Sequence, residues 1–172
     1  MQTRIYTTTS EDATTKNMEN LKIVTFDPKY LPAFVELNRE WIQKYFVLEP
    51  MDLAQLENPS DNILNQGGEI FFLLANEEVV GTCAMVPHGE DSYELAKMAV
   101  APSARGKGYG DIVMQAAIGW TKAKGAVTIT LLSNTVLEPA ITLYHKHGFE
   151  TVHLGPHPDY ERCNIEMVLK LK

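Results

Sequence analysis

The chain has 172 residues, of which 45% are hydrophobic and 22% are charged. These values are typical of one globular domain, and they exclude a wholly disordered chain. The formal net charge is −7 without a dense Lys/Arg cluster, which argues against a nucleic-acid binder. No stretch approaches the roughly eighteen apolar residues of a membrane span. A negative protein instead favours encounter with a cationic partner, such as an amine.

The first third of the chain predicts a strand followed by helices. Residues 1–20 are polar and are expected to be poorly ordered, so a single domain is predicted over residues 21–172. These first residues also lack an apolar leader, and a cytoplasmic location is therefore expected by default. An alternating strand covers 21–26. Asp27 is the expected N-cap of a helix that has Pro28 at its first position and continues to residue 46. Shorter helical pieces are expected at 51–56 and 62–65.

The rest of the chain predicts strands interrupted by two helices. Strands are expected at 69–75, 78–86, 92–100 and 127–132, and two more close the chain at 149–154 and 163–171. The helices are expected at 108–124 and 136–147, with Gly125 and Gly148 at their ends. The order β-α-α-β-β-β-α-β-α-β-β predicts an α+β fold, a mixed sheet with helices on both faces, rather than a doubly wound parallel sheet.

The most informative segment is a glycine-rich turn between a strand and a helix, VAPSARGKGYG at residues 100–110. Gly106, Gly108 and Gly110 remove the Cβ atoms that would block a ligand. Backbone N–H groups at a helix N-terminus bind anions, and Arg105 and Lys107 add positive charge there. A pyrophosphate is the expected ligand.

Other glycine loops fit this segment less well. A dinucleotide fold has G-x-G-x-x-G early in a βαβ unit, and a P-loop has G-x-x-x-x-G-K-[ST]. The spacing here is R-x-x-G-x-G in mid-chain. An ordinary tight turn needs one glycine rather than three glycines beside two cations.

The segment resembles the [Q/R]-x-x-G-x-[G/A] signature of the GCN5-related N-acetyltransferase (GNAT) superfamily, and residues 140–149 (AITLYHKHGF) match its A-x-x-L-Y-x-x-x-G-F region. The resemblance covers residues 21–171. It implies a mostly antiparallel twisted sheet of six to seven strands. It also implies an enzyme that moves an acetyl group from acetyl-CoA, its co-substrate, to a primary amine by direct attack in a ternary complex.

The resemblance also implies which residues hold the cofactor. The backbone of Met98 and Val100 would pair with the pantetheine arm, with the Met98 N–H donating to the thioester carbonyl. Asn134, which follows the next strand, would contact the pantetheine together with Tyr144. The pyrophosphate would be held by the loop residues, Arg105, Gly106, Lys107, Gly108, Tyr109 and Gly110.

Two further catalytic roles follow from the resemblance. Tyr144 matches the tyrosine that protonates the departing thiolate, although packing on a helix face is the alternative. Glu94 lies at the offset where histone-type members carry their base; a water relay is the alternative. Strand alternation puts Glu94, Ala96, Met98 and Val100 on one side unless a bulge intervenes.

The first helices and the final hairpin loop would form the acceptor pocket. The candidates are acids, aromatic rings and a histidine, which together suit a cationic amine: Glu36, Trp41, Tyr45, Glu49, His157, Asp159, Tyr160 and Glu161. Trp41 and Tyr45 are also spaced as core residues. The histidines do not converge, so no metal is predicted. Cys83 and Cys163 are expected to be buried thiols.

Two alternative functions remain open. A non-catalytic acyl-CoA-binding or regulatory domain would keep the loop without turnover. A nucleotide-phosphate binder of another fold would leave the Asn134 and Tyr144 region unexplained. No nucleic-acid or membrane partner is expected, and a homodimer is left open because many relatives are dimers.

Overall fold

The computed structural model describes residues 6–7 and 19–171, which form an eight-stranded sheet with four α-helices. The strands are β1 (Tyr6–Thr7), β2 (Leu21–Thr25), β3 (Glu69–Ala75), β4 (Glu78–Pro87), β5 (Ser92–Val100), β6 (Thr128–Ser133), β7 (Glu150–Leu154) and β8 (Ile165–Lys170). The helices are α1 (Leu31–Tyr45), α2 (Pro50–Glu57), α3 (Tyr109–Ala123) and α4 (Glu138–Lys146). In that part of the chain, no helix is both long and apolar enough to cross a bilayer.

The strand order in the sheet is β1-β2-β3-β4-β5-β6-β8-β7. Neighbouring strands are antiparallel except β5 and β6, which are parallel. This arrangement confirms the predicted α+β class and mostly antiparallel sheet, with β1 as a two-residue addition at one edge. Of the predicted polar lead-in, residues 1–5 and 8–18 lie outside the described residues, as does residue 172.

Two hydrophobic cores cover the two faces of the sheet. One core lies between the sheet and α3, where Val113, Met114 and Ala117 are fully buried, and α4 packs at its margin through Leu143. The other core lies under the first helices and is centred on Phe34. The alternating strands supply one apolar set to each core, because successive side chains point to opposite faces.

Local signals in the sequence explain several element boundaries. The Asp27 side chain accepts a hydrogen bond from the Lys29 N–H at 3.0 Å, as expected of an N-cap. A 3-10 turn, Pro28–Tyr30, then precedes α1. The β3–β4 turn has positive φ at both Asn76 and Glu77, 51° and 71°, which matches the right-handed twist of a hairpin even without glycine.

A bulge in β5 changes which side chains share a face. Thr82 pairs with Ala99 and Ala84 with Ala96, so two residues of β5 oppose one of β4, and Lys97 has a φ of 53°. Ala96 packs on the core below α1, whereas Met98 packs on the core below α3. The bulge reverses the alternation of side chains between Ala96 and Met98. The prediction that one face of the strand carries Glu94, Ala96, Met98 and Val100 is therefore wrong.

Candidate active site

A cleft opens where β5 and β6 separate. The two strands are paired only between residues 92–95 and 128–131, whereas β6 stays paired with β8 through Ser133. The edge of β5 from residue 96 to residue 100 consequently has no partner strand on the β6 side. Backbone groups on such an edge can pair with an extended ligand in the way that a further strand would.

A cavity of about 270 Å³ occupies this cleft and reaches both sides of the sheet. Trp41 and Tyr45 of α1 line it on one side, and Tyr144 of α4 lines it on the other. Met98, Val100, Arg105 and Asn134, all predicted to contact the cofactor, also line it. The separation of the strands is what lets residues from the two faces meet in one cavity.

The glycine loop at residues 106–110 presents free backbone N–H groups next to this cavity. Gly106 and Gly108 have φ values of 83° and 77°, and a Cβ atom on either would meet nothing within 4 Å. Within the described structure, no amide of residues 106–110 donates to a backbone carbonyl or a side chain. Gly108 is the N-cap of α3. An open, unpaired nest of amides at a helix N-terminus fits a pyrophosphate.

The third glycine and the tyrosine of the loop have packing roles. A Cβ on Gly110 would lie 3.1 Å from the Leu143 Cδ2 and 3.7 Å from the Met98 Cε. Gly110 therefore lets α3 approach α4 and β5 closely. The Tyr109 side chain is only 3% exposed, so that residue can offer a ligand its backbone amide rather than its ring.

Both cations of the loop are paired with carboxylates. The Arg105 Nη2 lies 3.0 Å from the Glu40 Oε2, and the Lys107 Nζ lies 2.9 Å from the Glu19 Oε1. The Tyr109 hydroxyl also hydrogen-bonds Glu19. These ion pairs are exposed and therefore weak, so an incoming phosphate can exchange places with either carboxylate.

Asn134 is held by hydrogen bonds within the protein. Its Nδ2 donates to the Arg162 carbonyl at 2.9 Å, and its Oδ1 accepts from the Val136 N–H at 2.9 Å. The side chain thus joins the end of β6 to the segment before β8. Asn134 therefore has a structural role that the sequence did not predict. Its contact with the pantetheine stays a prediction.

Tyr144 lines the cavity from α4, and its ring packs edge-on against Phe149 at a centroid distance of 6.0 Å. Burial raises the pKa of Tyr144 to about 12. A phenol with that pKa stays protonated at neutral pH and can donate a proton. The geometry therefore permits an acid role, which the sequence alone does not separate from packing.

Glu94 lines the same cavity from β5, with 23% of its side chain exposed. The His88 Nδ1 lies 3.9 Å from its Oε2. Burial raises the pKa of the Glu94 carboxyl, and nearby cationic groups only partly offset this effect. A raised pKa brings a carboxylate closer to the basicity that a general base needs. Glu94 and Tyr144 thus reach one cavity, although they approach it from different faces of the sheet.

A buried ion cluster beside the cavity was missed by the sequence reasoning. The Lys97 Nζ donates to the Asp52 Oδ1 at 2.7 Å, and the Arg162 Nη2 also hydrogen-bonds Asp52. The Asp52 side chain is fully buried and that of Lys97 is 3% exposed. The only sequence signal was a lysine at the centre of an otherwise apolar strand segment, residues 95–100.

The cations of the cluster stabilise the Asp52 carboxylate. Burial acts to raise the pKa of the Asp52 carboxyl, but Lys97, a backbone hydrogen bond from Glu49 and Arg162 outweigh it, so the pKa lies below its usual range. Burial lowers the pKa of Lys97, and Asp52 opposes this effect. The second Asp52 oxygen accepts the Glu49 N–H at 3.0 Å, closing a capping box at the start of α2.

The structure brings only some of the predicted acceptor residues to the cavity. Trp41, Tyr45 and Tyr160 line it, whereas Glu36 does not. Glu36 lies in a separate shallow groove on the outer side of α1, because five helical residues separate it from Trp41 by about 140° around the axis. The other acidic candidates and the histidine are also absent from the lining: Glu49, His157, Asp159 and Glu161.

Both cysteines are free and buried, as predicted. Burial raises the pKa of the Cys163 thiol to about 11, which leaves it protonated and poorly nucleophilic. Across residues 6–7 and 19–171, no group of three or more His, Cys, Asp or Glu side chains could hold a metal ion.

The structure combines an α+β sheet, a cleft between diverging parallel strands and a loop of unpaired backbone amides beside it. Residues 66–151 match the family model described as an acetyltransferase (GNAT) domain. An uncharacterised N-acetyltransferase of Bacillus subtilis, YvbK, is 30% identical over 104 residues, which cover 59% of this chain and 67% of that protein. The chain therefore belongs to the GNAT acetyltransferase family and is an acyltransferase.

Solved structures show the same fold at lower sequence identity. A GNAT-family acetyltransferase of Staphylococcus aureus Mu50 superposes with a TM-score of 0.79 at 24% identity, covering 88% of this chain and 99% of that one. YncA of Salmonella typhimurium, described as a putative acetyltransferase with its cofactor acetyl-CoA, has a TM-score of 0.73 at 18% identity, covering 89% and 95%.

Proposed function

We propose that this protein moves an acetyl group from acetyl-CoA to a primary amine by direct attack within a ternary complex. The observation that carries the proposal is the single cavity at the β5–β6 separation, which has the open amide loop beside it and both Glu94 and Tyr144 in its wall. The acetyl-CoA reported with the structurally similar YncA supports the choice of acyl donor.

The chain's own groups would bind the donor at two places. The amides of residues 106–110, with Arg105 and Lys107, would hold the pyrophosphate through charge-assisted hydrogen bonds. The free edge of β5 at residues 96–100 would pair with the amide-rich pantetheine arm, and the Met98 N–H would donate to the thioester oxygen.

In the proposed reaction, the nitrogen of a neutral amine forms a bond to the thioester carbon and the carbon–sulfur bond breaks. One proton leaves the amine, and one proton is added to the departing thiolate. Glu94 would take the first, directly or through a water molecule, and Tyr144 would give the second. Neither cysteine is required, since the acetyl group passes directly to the acceptor.

Measured release of CoA thiol separates an enzyme from a non-catalytic acyl-CoA binder. With acetyl-CoA and a panel of primary amines, thiol should appear only when a suitable amine is present, and mass spectrometry should find that amine acetylated. Tight binding of acetyl-CoA without acetylation of any amine would favour the alternative of a non-catalytic domain.

The proposed base predicts a specific pH dependence. Burial raises the pKa of Glu94 above the value of about 4.3 that an ordinary glutamate has. The carboxylate form is lost as pH falls through this raised pKa. We expect kcat/KM to fall on the acid side accordingly. Glu94→Gln should lower kcat/KM at neutral pH by roughly 10²-fold or more and remove this part of the profile.

The matched control is Glu90→Gln, which changes an exposed carboxylate in the β4–β5 connection, just before the strand that carries Glu94. It should leave the profile unchanged. If kcat/KM of Glu94→Gln falls at acid pH as it does in the wild type, a water relay without Glu94 accepts the proton of the amine.

A further inference from the structure

The charges in the cavity wall differ from those expected of a pocket for a cationic amine. Among the described residues, its charged lining consists of one carboxylate, Glu94, and three cations, Lys97, Arg105 and Arg162. Asp52, which pairs with two of these cations, is fully buried and does not line the cavity. Arg105 pairs with Glu40 and is assigned to the acyl donor, and the side chain of Lys97 is only 3% exposed. Arg162 is therefore the cation that an acceptor would meet in the wall, and a polycation would be repelled by it.

Arg162 is fixed firmly in this wall. Its guanidinium carbon lies 5.7 Å from the Trp41 ring centroid and 5.1 Å from that of Tyr160, so both rings contact the cation. Its own carbonyl accepts the hydrogen bond from Asn134. Only 12% of the side chain is exposed. An arginine held at its backbone and at its guanidinium is preorganised to bind an anion.

The protein uses only part of the hydrogen-bonding capacity of Arg162. A guanidinium has five N–H donors. In the described structure, Nη2 donates to Asp52, while the only contact of Nη1 is the Cys163 Sγ at 3.8 Å, a weak acceptor. Nε has no hydrogen-bond partner there, because the nearest Glu49 oxygen is 3.7 Å away. Nε is buried beside Glu49, so Nη1 is the donor left for a ligand. A carboxylate oxygen is an acceptor that such a charged donor binds strongly.

We propose that the acceptor is a small amine that also carries a carboxylate, as an amino acid does, and that Arg162 binds this carboxylate. The proposal rests on the proposed acetyl transfer and specifies its acceptor. Glu94 and Arg162 both line the cavity, so its wall offers one anionic and one cationic group to an acceptor. This pair is complementary to a zwitterion, with its amine toward Glu94 and its carboxylate toward Arg162.

The wild-type protein provides the first test without any mutation. Each of the twenty amino acids is compared with its α-carboxamide, which keeps the amine and side chain and loses the negative charge, and the polyamines spermidine and putrescine are included. We expect at least one amino acid to be acetylated with a kcat/KM about ten- to a hundredfold above that of its amide, the range of one or two charge-assisted hydrogen bonds.

Variants of Arg162 then assign the preference to this side chain. Arg162→Gln should raise KM for the preferred amino acid by about ten- to a hundredfold and abolish its advantage over the amide, with acetyl-CoA affinity unchanged. Arg162→Lys should restore part of the preference. The control is Arg39→Gln, an arginine outside the cavity whose carboxylate neighbour, Glu57, is 4.0 Å away. Circular dichroism and acetyl-CoA affinity show whether each variant is folded.

Three results would overturn the carboxylate assignment. The wild type could prefer amides or polyamines over amino acids, or Arg162→Gln could keep the wild-type preference for the amino acid over its amide. In the third result, a protein that binds acetyl-CoA acetylates neither the amino acids nor the amides and polyamines. The first two would leave the proposed acetyltransferase activity intact, whereas the third would count against it as well.

Discussion

Replacing Tyr144 with phenylalanine should lower kcat for acetyl transfer by about 10²- to 10⁴-fold, the usual contribution of one positioned proton donor. Tyr144 lines the cavity, and burial raises its pKa to about 12, so the phenol is protonated at neutral pH. The KM for acetyl-CoA should change little. Steady-state kinetics at saturating acceptor measures both quantities.

The controls for Tyr144→Phe separate chemistry from packing. The phenylalanine keeps the edge-on contact with Phe149, so the unfolding midpoint should stay close to that of the wild type. Tyr30→Phe is the matched variant, because Tyr30 packs against Phe72 at 5.2 Å, away from the cavity. An unchanged kcat in Tyr144→Phe would mean that Tyr144 only packs and that water or another group protonates the thiolate.

Asp52→Asn should lower the free energy of unfolding by about 3–5 kcal/mol, because it leaves two buried cations without their shared anion. Asp52 is fully buried and pairs with both Lys97 and Arg162. Urea denaturation followed by circular dichroism measures the change. Glu57→Gln is the control on the same helix, since its pair with Arg39 is exposed and spans 4.0 Å; it should cost less than about 1 kcal/mol.

The cost of Asp52→Asn should also depend on pH. The pKa of Asp52 is lowered in the folded protein, so its contribution to stability is present above the unfolded value of about 3.9 and is lost as pH falls through the lower folded value. The difference between the wild type and the variant should therefore shrink in acid. If Asp52→Asn is as stable as Glu57→Gln at neutral pH, the buried ion cluster contributes little to the free energy of unfolding.

The sequence predicted the fold well where local signals and periodicity agree. The apolar runs of β3 and β4, the positive-φ glycines that end α3 and α4, and the Asp27 cap all correspond to features of the structure. These signals are local: each depends on a few neighbouring residues whose conformation the chain chemistry restricts.

The candidate site was less predictable because it depends on a bulge and on distant contacts. A one-residue bulge at Lys97 reverses the alternation of β5, so residues expected on one face lie on two. Arg162 meets Asp52 across 110 residues of sequence, and neither residue belongs to a motif. The acids of the first helices and of the last loop suggested a cationic acceptor, yet Glu94 is the one carboxylate among the described residues of the cavity wall, beside three cations. Tertiary pairing of buried charges has no sequence period by which it could be recognised.

The most direct test of the central claim is calorimetric titration of acetyl-CoA, CoA and ADP into the wild type, Gly108→Trp and Gly125→Trp. Gly108 and Gly125 lie at opposite ends of α3, have φ values of 77° and 80°, and have open space around a would-be Cβ. Both substitutions therefore carry the same backbone strain, but only the first covers the amide loop.

The wild type and Gly125→Trp should bind acetyl-CoA and CoA, and more tightly than ADP, because ADP lacks the pantetheine arm that pairs with β5. Gly108→Trp should lose affinity by about a hundredfold or more, the loss of two or more charge-assisted hydrogen bonds to the pyrophosphate. Absence of binding of all three ligands to the folded wild type, or equal binding by the two tryptophan variants, would contradict the assignment of residues 105–110 as the acetyl-CoA site.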